Sequence, residues 1–299
     1  MDKKKAILNL AGMAIICAVM IVMSSCSKDE VKRPLIEEKS RLLFGVSSIE
    51  SPGNIYKKFK PFVDYLGKKL GMEVILVQKR TYEEINGLFE TGNIDFARIA
   101  AGAYVKIKEE TDVTILALES KNGSPSYKAN IIVHRDSLIT SFDGLQGKIF
   151  AFVDRDSNSG FIYPEFLITQ RNTGINSFFP QYIFTGGHDN SIIKVLRKEV
   201  DGASVASYIL GREANANPEI KDKIRIIQKS PLFFRGPFVA RSNIPQDLRG
   251  QIRNIMLNMH LDEEGKSVLE AMGLDGFKDG KDADFDSIRD MLDVVGETK

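Results

Sequence analysis

Two αβ blocks, each with its own core and joined by two extended crossovers, are what this sequence predicts. Three observations carry that expectation. At 299 residues the chain is longer than one minimal core needs and suits two lobes. Short apolar runs alternate with stretches whose apolar residues recur at helical spacing, the pattern of β–α–β units in an α/β fold. The alternation breaks at residues 121–133 and then restarts, so the chain crosses once from the first block to the second and later returns. An apolar fraction of 43% with 27% charged residues is ordinary for a soluble globular protein. Lys+Arg 41 against Asp+Glu 40 leaves a net charge of +1, which excludes bulk attraction to nucleic acid and requires any anion site to be local.

The start of the chain stands apart from the fold. Met1-Asp2-Lys3-Lys4-Lys5 is basic and Ala6 to Met23 is mostly apolar, which reads as a secretory signal over residues 1–25. It ends in Met23-Ser24-Ser25-Cys26, which resembles the lipobox of bacterial lipoproteins, with Met23 in place of the usual Leu, Val or Ile. The resemblance implies cleavage before Cys26 and lipidation of that cysteine; the other reading is an uncleaved membrane anchor. Cys17 would leave with the signal, so no disulfide is expected. Residues 26–40 are charged and carry Pro34, as a tether between lipid and domain would.

From Arg41 the elements follow in order. Leu42–Val46 is a strand, Ser47 to Gly53 a polar loop, and Ile55, Phe59, Phe62, Val63, Leu66 and Leu70 mark a helix stopped by Gly71. Val74–Val77 is a strand, Tyr82 and Ile85 to Phe89 begin a helix ending at Gly92, and Ile94–Ile99 is a strand that runs into Ala100 to Tyr104. Val113–Leu118 is a further strand, and Tyr127–Val133 an extended crossover. After the short helix Ser141–Leu145, the apolar run Lys148–Val153 reads as a buried strand. It leads into Asp154-Arg155-Asp156-Ser157-Asn158-Ser159-Gly160 and a helix from Glu165 to Gln170. The first N–H groups of a helix have no internal partner and carry the positive end of its dipole, so Ser157, Asn158 and Ser159 can hold a small oxyanion; the plainer reading is that a serine caps the helix. Tyr182 to Ser191, with Gly186-Gly187-His188-Asp189, repeats the design ahead of a helix at Ile192–Arg197. Val200–Ala206 is a strand, Ile224–Ile227 another, Phe238–Ala240 the last, and helices from Pro245 close the chain. The first lobe is expected at 41–128 plus 232–299 and the second at 131–228, with hinge strands near 127–133 and 225–240. This is a Venus-flytrap arrangement with its ligand cleft at the carboxyl ends of the strands.

With these loops in order, the mature chain resembles the PhnD-type family, the substrate-binding proteins of phosphate, phosphite and phosphonate ABC transporters, which are type II periplasmic binding proteins. The marks are Tyr82 with Ile94-Asp95-Phe96-Ala97, Asp156-Ser157-Asn158-Ser159-Gly160 ahead of Pro164, Gly186-Gly187-His188-Asp189, Val200-Asp201, and Ser230-Pro231-Leu232. Asn158 stands where the family most often has Thr; its amide can still donate. Ser48-Ile49-Glu50-Ser51 lacks the proline that many members carry before the Glu-Ser pair.

The resemblance implies an exported, lipid-anchored protein, facing the periplasm or cell exterior, that delivers a small phosphorus oxyanion to an ABC permease as a monomer. It places His188 near the oxyanion. An imidazole can donate there and its charge responds to pH where phosphate titrates, although a histidine here could also only cap a helix. Tyr82 is the first-lobe partner or a packing tyrosine. Ser47 and Ser48 are expected to give backbone or hydroxyl contacts, and Asp201 to tie strands together. Arg98 and Arg235 could pair with a phosphonate, but an exposed ion pair is the commoner fate. An aminoalkylphosphonate would need a carboxylate for its ammonium. Glu50, Asp189 and Asp201 offer none plainly free, and Tyr208, Phe233 and Phe234 suggest an aromatic surround. The expected ligand is therefore phosphate, phosphite or a simple alkylphosphonate, held with little salt dependence. No cofactor or metal is expected. Ser157 or Ser159 with His188 and Asp189 could be imagined as a hydrolase triad, but the Gly-x-Ser-x-Gly elbow and His-Glu-x-x-His are both absent, so the chain reads as no enzyme. A sensor partner in place of a permease, or another small anion, is the alternative.

Overall fold

In the computed structural model, residues 41–296 are described; the expected signal, Cys26 and the tether lie outside them. β1 (Arg41–Val46) is an apolar strand running straight into the buried Ser47 and Ser48. α1 (Pro52–Leu70) opens on Pro52, at a position where no amide proton is needed, and stops at Gly71, whose φ of 68° is the left-handed turn glycine allows. β2 (Glu73–Gln78) follows, then α2 (Tyr82–Glu90), started by a reciprocal capping box between Thr81 and Glu84. β3 (Phe96–Arg98), α3 (Ala101–Glu110) and β4 (Val113–Ser120) complete the first pass. The strand expected at 94–99 ends at Arg98, and the chain turns helical at Ala101, where no helix was expected. Residues 101–104 are small or aromatic with no β-branched side chain, so little opposes a helix there.

The chain then crosses. β5 (Ser126–Tyr127) and β6 (Ala129–His134) lead to a single 3₁₀ turn at Asp143–Leu145, to β7 (Ile149–Phe152), and to a π-helical turn at Asn158–Ile162 that continues into α4 (Tyr163–Thr169). α5 (Ile175–Phe178), β8 (Gln181–Phe184), α6 (His188–Leu196), β9 (Gly202–Ala206), α7 (Ser207–Ala216), α8 (Pro218–Lys223) and β10 (Ile224–Lys229) follow. α6 begins at His188, a turn earlier than the apolar pattern indicated, because Gly187 serves as its cap and polar residues fill its first turn. β11 (Phe233–Phe234) and β12 (Pro237–Arg241) return the chain, and α9 (Gln246–Asn258), α10 (Glu263–Met272), β13 (Gly276–Lys278) and α11 (Asp286–Gly296) close it.

Two sheets result. The first has the order β13-β4-β12-β3-β1-β2, and the second β10-β6-β9-β7-β8. β1, β2 and β3 are parallel, as are β7, β8 and β9. The returning β12 slots between β3 and β4, antiparallel to both, so those two run the same way without touching. Between the sheets, β5 pairs antiparallel with β11, Tyr127 opposite Phe233, which binds the two crossovers into one short ribbon. Each sheet has an aromatic core: Phe44, Phe62, Phe96 and Phe238 in one, Phe150, Phe152 and Phe179 in the other. α11 packs against α4 and the π turn on one side and α3 on the other, so this last segment straddles the lobes instead of closing the first alone. Among the described residues no helix is long and apolar enough to cross a membrane.

Candidate functional site

The loop after β1 meets the loop that opens α6, and the turn after β2 meets the one after β7, through His188 N–H to the Ile49 carbonyl, Ser51 N–H to Asp189 and Tyr82 N–H to Asp154. At the end of β7 the chain must turn sharply, and Gly160 makes that possible: a Cβ there would lie 2.5 Å from Val153 and 2.8 Å from Ser157 Oγ. Ser157 Oγ accepts from Gly160 N–H at 3.1 Å, so this serine does cap the turn. Its cap uses the third amide, and the first two, of Asn158 and Ser159, have no helical partner available. Ser157, Asn158 and Ser159 are each 2% exposed, too deep to be ordinary surface turn residues.

Asn158 Nδ2 donates to Tyr127 Oη at 3.3 Å, leaving its Oδ1 buried without a partner. Ser204 Oγ donates to the Ser159 carbonyl at 2.5 Å and fixes the backbone there. From the first lobe comes Tyr82, 1% exposed, whose hydroxyl sits beside Ser157 without a well-aligned hydrogen bond to it. Ser47 Oγ is likewise buried and unpartnered, while its N–H donates to the Arg98 carbonyl at 3.0 Å. Burial pushes the Tyr82 phenol well above its ordinary range and Tyr127 up to about 12, so both keep their protons. Ser48 differs: its hydroxyl donates to the Lys79 carbonyl at 2.6 Å, which leaves its backbone N–H as the donor it can offer a ligand.

His188 does not titrate as expected. Burial, aided by the positive charges of Arg98 and Arg212 and opposed by Asp189, lowers it to about 3, so it is neutral wherever phosphate titrates. Its Nδ1 accepts from Ala206 N–H at 3.2 Å. The ring proton is therefore on Nε2, which has no protein partner among the described residues and can donate. Asp189 serves the other lobe. Its carboxylate accepts from Ser51 N–H at 3.0 Å and Asn54 Nδ2 at 3.1 Å, and His188 N–H reaches the Ile49 carbonyl at 3.1 Å. A serine relay needs Nδ1–H given to a carboxylate, and that arrangement is not made here.

Arg98 and Arg235 are not the exposed ion pairs expected of them. Arg98 is 1% exposed and Arg235 5%, and both share Glu119, at 3.2 Å and 3.8 Å. The reason is position: Arg98 ends the central β3, and the returning chain brings Arg235 beside it. Arg98 Nη2 also reaches Tyr208 Oη at 3.4 Å. Tyr82, Tyr127 and His188 each lie within the electrostatic reach of the Arg98 guanidinium. Asp201 ties strands together, its carboxylate accepting from Ile149 N–H at 2.9 Å. The Tyr127, Glu119 and Arg212 contributions were not anticipated; Tyr127 sits in a crossover strand whose apolar character hid a hydroxyl aimed inward.

Further polar contacts close the seam. Tyr82 N–H donates to Asp154 at 3.2 Å, Asn86 Nδ2 to Asp156 at 2.9 Å, and Lys106 pairs with Asp156 at 2.6 Å. Gly102 lets the backbones meet: a Cβ there would lie 2.3 Å from Ile162 Cδ1 and 2.7 Å from the Asp156 carbonyl. Among the described residues no group of three or more His, Cys, Asp or Glu side chains is placed to hold a metal ion.

A family model described as the phosphonate ABC transporter periplasmic substrate-binding protein matches residues 44–285. The phosphonates-binding periplasmic protein of Escherichia coli is 28% identical over 260 residues, covering 85% of this chain and 77% of that one. The phosphate-import protein PhnD of Mycolicibacterium smegmatis is 23% identical over 303 residues, covering 94% of each. Among solved structures, PhnD1 of Prochlorococcus marinus in complex with methylphosphonate superposes with a TM-score of 0.78 at 18% identity, covering 86% of this chain and 98% of that one. At that identity the likeness speaks for the two-lobed fold.

Proposed function

Because the chain belongs to the family of periplasmic substrate-binding proteins of phosphonate ABC transporters, we propose that its interlobe cleft captures a small phosphorus oxyanion and presents it to a membrane permease. The observation that carries this is the set of buried, unpartnered hydroxyl and amide groups, Ser47 Oγ, Tyr82 Oη and Asn158 Oδ1, supplied by both lobes. A buried polar group left unpaired costs about 1–3 kcal/mol, and an oxyanion with several acceptor oxygens offsets several such losses at once. Oδ1 is an acceptor, so Asn158 joins the site by rotating its amide: Tyr127 then donates to Oδ1 and Nδ2 turns to the ligand. Ser157 and Ser159 give hydroxyls, the 158 and 159 amides give N–H groups, His188 gives Nε2–H, and Ser48 can give only its backbone N–H. Neutral donors surround the ligand with Arg98 behind them, so its charge is compensated inside the protein and responds little to salt.

Within this reading Cys26 carries the lipid that holds the protein at the outer face of a membrane, the molecule is a monomer, and the cleft does no chemistry on what it binds. The absence of a His188–Asp189 hydrogen bond supports capture over hydrolysis.

The test uses the full chain purified in detergent and stripped of bound ligand, titrated calorimetrically with phosphate, phosphite and methylphosphonate. Tight binding of at least one, lost when Ser157 and Ser159 are both changed to alanine, is expected. Absence of heat with all three from folded protein would overturn the reading.

A further inference from the structure

Beside the ring of donors, at the mouth of the same cleft, lies a second space of about 510 Å³, far larger than a bare oxyanion needs. Its walls include Glu50 and Lys58 from the first lobe, Tyr208 and Arg212 from the second, and Glu119 and Arg235 near the crossovers. Tyr208 joins the two spaces. Its ring meets Tyr127 edge-on at 5.4 Å on the oxyanion side and carries the Arg235 guanidinium 4.2 Å from its centroid on the other.

The charges here are unusual for so buried a place. Lys58, Arg98, Arg212 and Arg235 meet the carboxylates of Glu50, Glu119 and Glu213, four cations against three anions. Every carboxylate oxygen of the two deepest acids is engaged. Glu50 gives one oxygen to Lys58 and the other to Arg212. Glu119 gives its two to Arg98 Nε and Nη2, at 3.3 Å and 3.2 Å, with Arg235 beside them. Donors are left over instead. Arg235 Nε is buried with no hydrogen-bond partner, on a side chain 5% exposed. Tyr208 Oη accepts from Arg98 and still holds its own proton to give.

Resting on the phosphorus-oxyanion reading, we propose that this pocket receives a second, anionic group on the ligand, so that the chain selects phosphonates bearing a carboxylate beyond phosphorus over those bearing an ammonium. Arg235 Nε–H and Tyr208 O–H would donate to that carboxylate, and its charge would balance the extra cation. An ammonium would instead meet a net positive wall whose buried acids are already paired. The Lys58 amine is lowered chiefly by burial, against the pull of Glu50 and with a smaller push from Arg212. Glu119, Tyr208 and Arg235 thus set specificity without touching phosphorus.

The experiment is a ligand series on the full-chain protein: methylphosphonate as reference, then phosphonoformate, phosphonoacetate, 3-phosphonopropionate and 2-aminoethylphosphonate, each by calorimetry. At least one carboxylate-bearing member should bind about tenfold tighter than methylphosphonate, and 2-aminoethylphosphonate about tenfold weaker, the size expected for gaining or opposing one charge-assisted hydrogen bond. In Arg235→Gln the ratio between the best carboxylate ligand and methylphosphonate should collapse toward one. That ratio is blind to a general loss of affinity, and the wild-type series needs no variant at all. If methylphosphonate binds but no carboxylate ligand surpasses it, or if 2-aminoethylphosphonate equals it, the inference falls while the oxyanion reading stands. If nothing in the series binds, and neither phosphate nor phosphite does, both fall.

Discussion

Tyr82 shows how one hydroxyl can be read as a ligand group from its surroundings. A buried phenol that meets no partner destabilises the fold slightly, so Tyr82→Phe should leave the melting temperature of the empty protein unchanged or a little higher. The same change should weaken oxyanion binding roughly five- to tenfold, the net worth of one hydrogen bond. A variant that melts earlier and binds as before would show that the hydroxyl is structural. His188 makes an opposite kind of statement, about pH. Its folded-state value near 3 lies below the ordinary histidine value. The stability it contributes is therefore complete above the unfolded value of about 6.5 and is lost as pH falls through that point toward the folded one. Melting temperature should drop on going from pH 7 to pH 4.5, and His188→Gln, which cannot charge, should drop less. Between pH 6 and 8 the affinity should follow the ligand's titration alone, and an additional break from the protein in that range would contradict a neutral imidazole.

At the level of elements, the seam is closed by loops that open α1, α2, α3 and α6, each reaching across to the other lobe. Gly102 is where α3 touches the π turn most closely, so Gly102→Val should hold the lobes apart. Overpacking costs about 1–3 kcal/mol. Affinity should fall roughly five- to hundredfold while small-angle scattering of the ligand-saturated variant reports a more open particle; unchanged affinity would mean that the seam yields elsewhere. The strands, the α1 stripe and the two glycine–polar turns were legible because periodicity and turn chemistry are local. α3 was missed because Ala-Gly-Ala-Tyr carries no apolar period, and β13 because three residues carry none either. The Arg98–Glu119–Arg235 cluster was beyond reach for a different reason. Its members lie on β3, on β4 and just before the strand inserted between those two, and only that insertion makes them neighbours. Asp189 was read as a possible relay and as a carboxylate not plainly free, and its actual partners lie 138 and 135 residues upstream.

For the molecule as a whole, binding must be felt by both lobes at once. A ligand at a hundred times its dissociation constant adds about 2.7 kcal/mol, which for a chain of this size corresponds to an upward shift of roughly 4–10 °C in a thermal melt. Scanning calorimetry should show one transition moving with ligand; two transitions, of which only one moves, would mean that the cleft is held by a single lobe. The helix that straddles the lobes gives this molecule something further. α11 lies against α3 on one side and α4 on the other, and the chain contains no tryptophan. An indole introduced at Met291, a buried position on that helix, would be the sole such fluorophore. Its emission would redden as the lobes part and the indole meets water, turning the carrier into its own optical meter for dissolved phosphorus oxyanions.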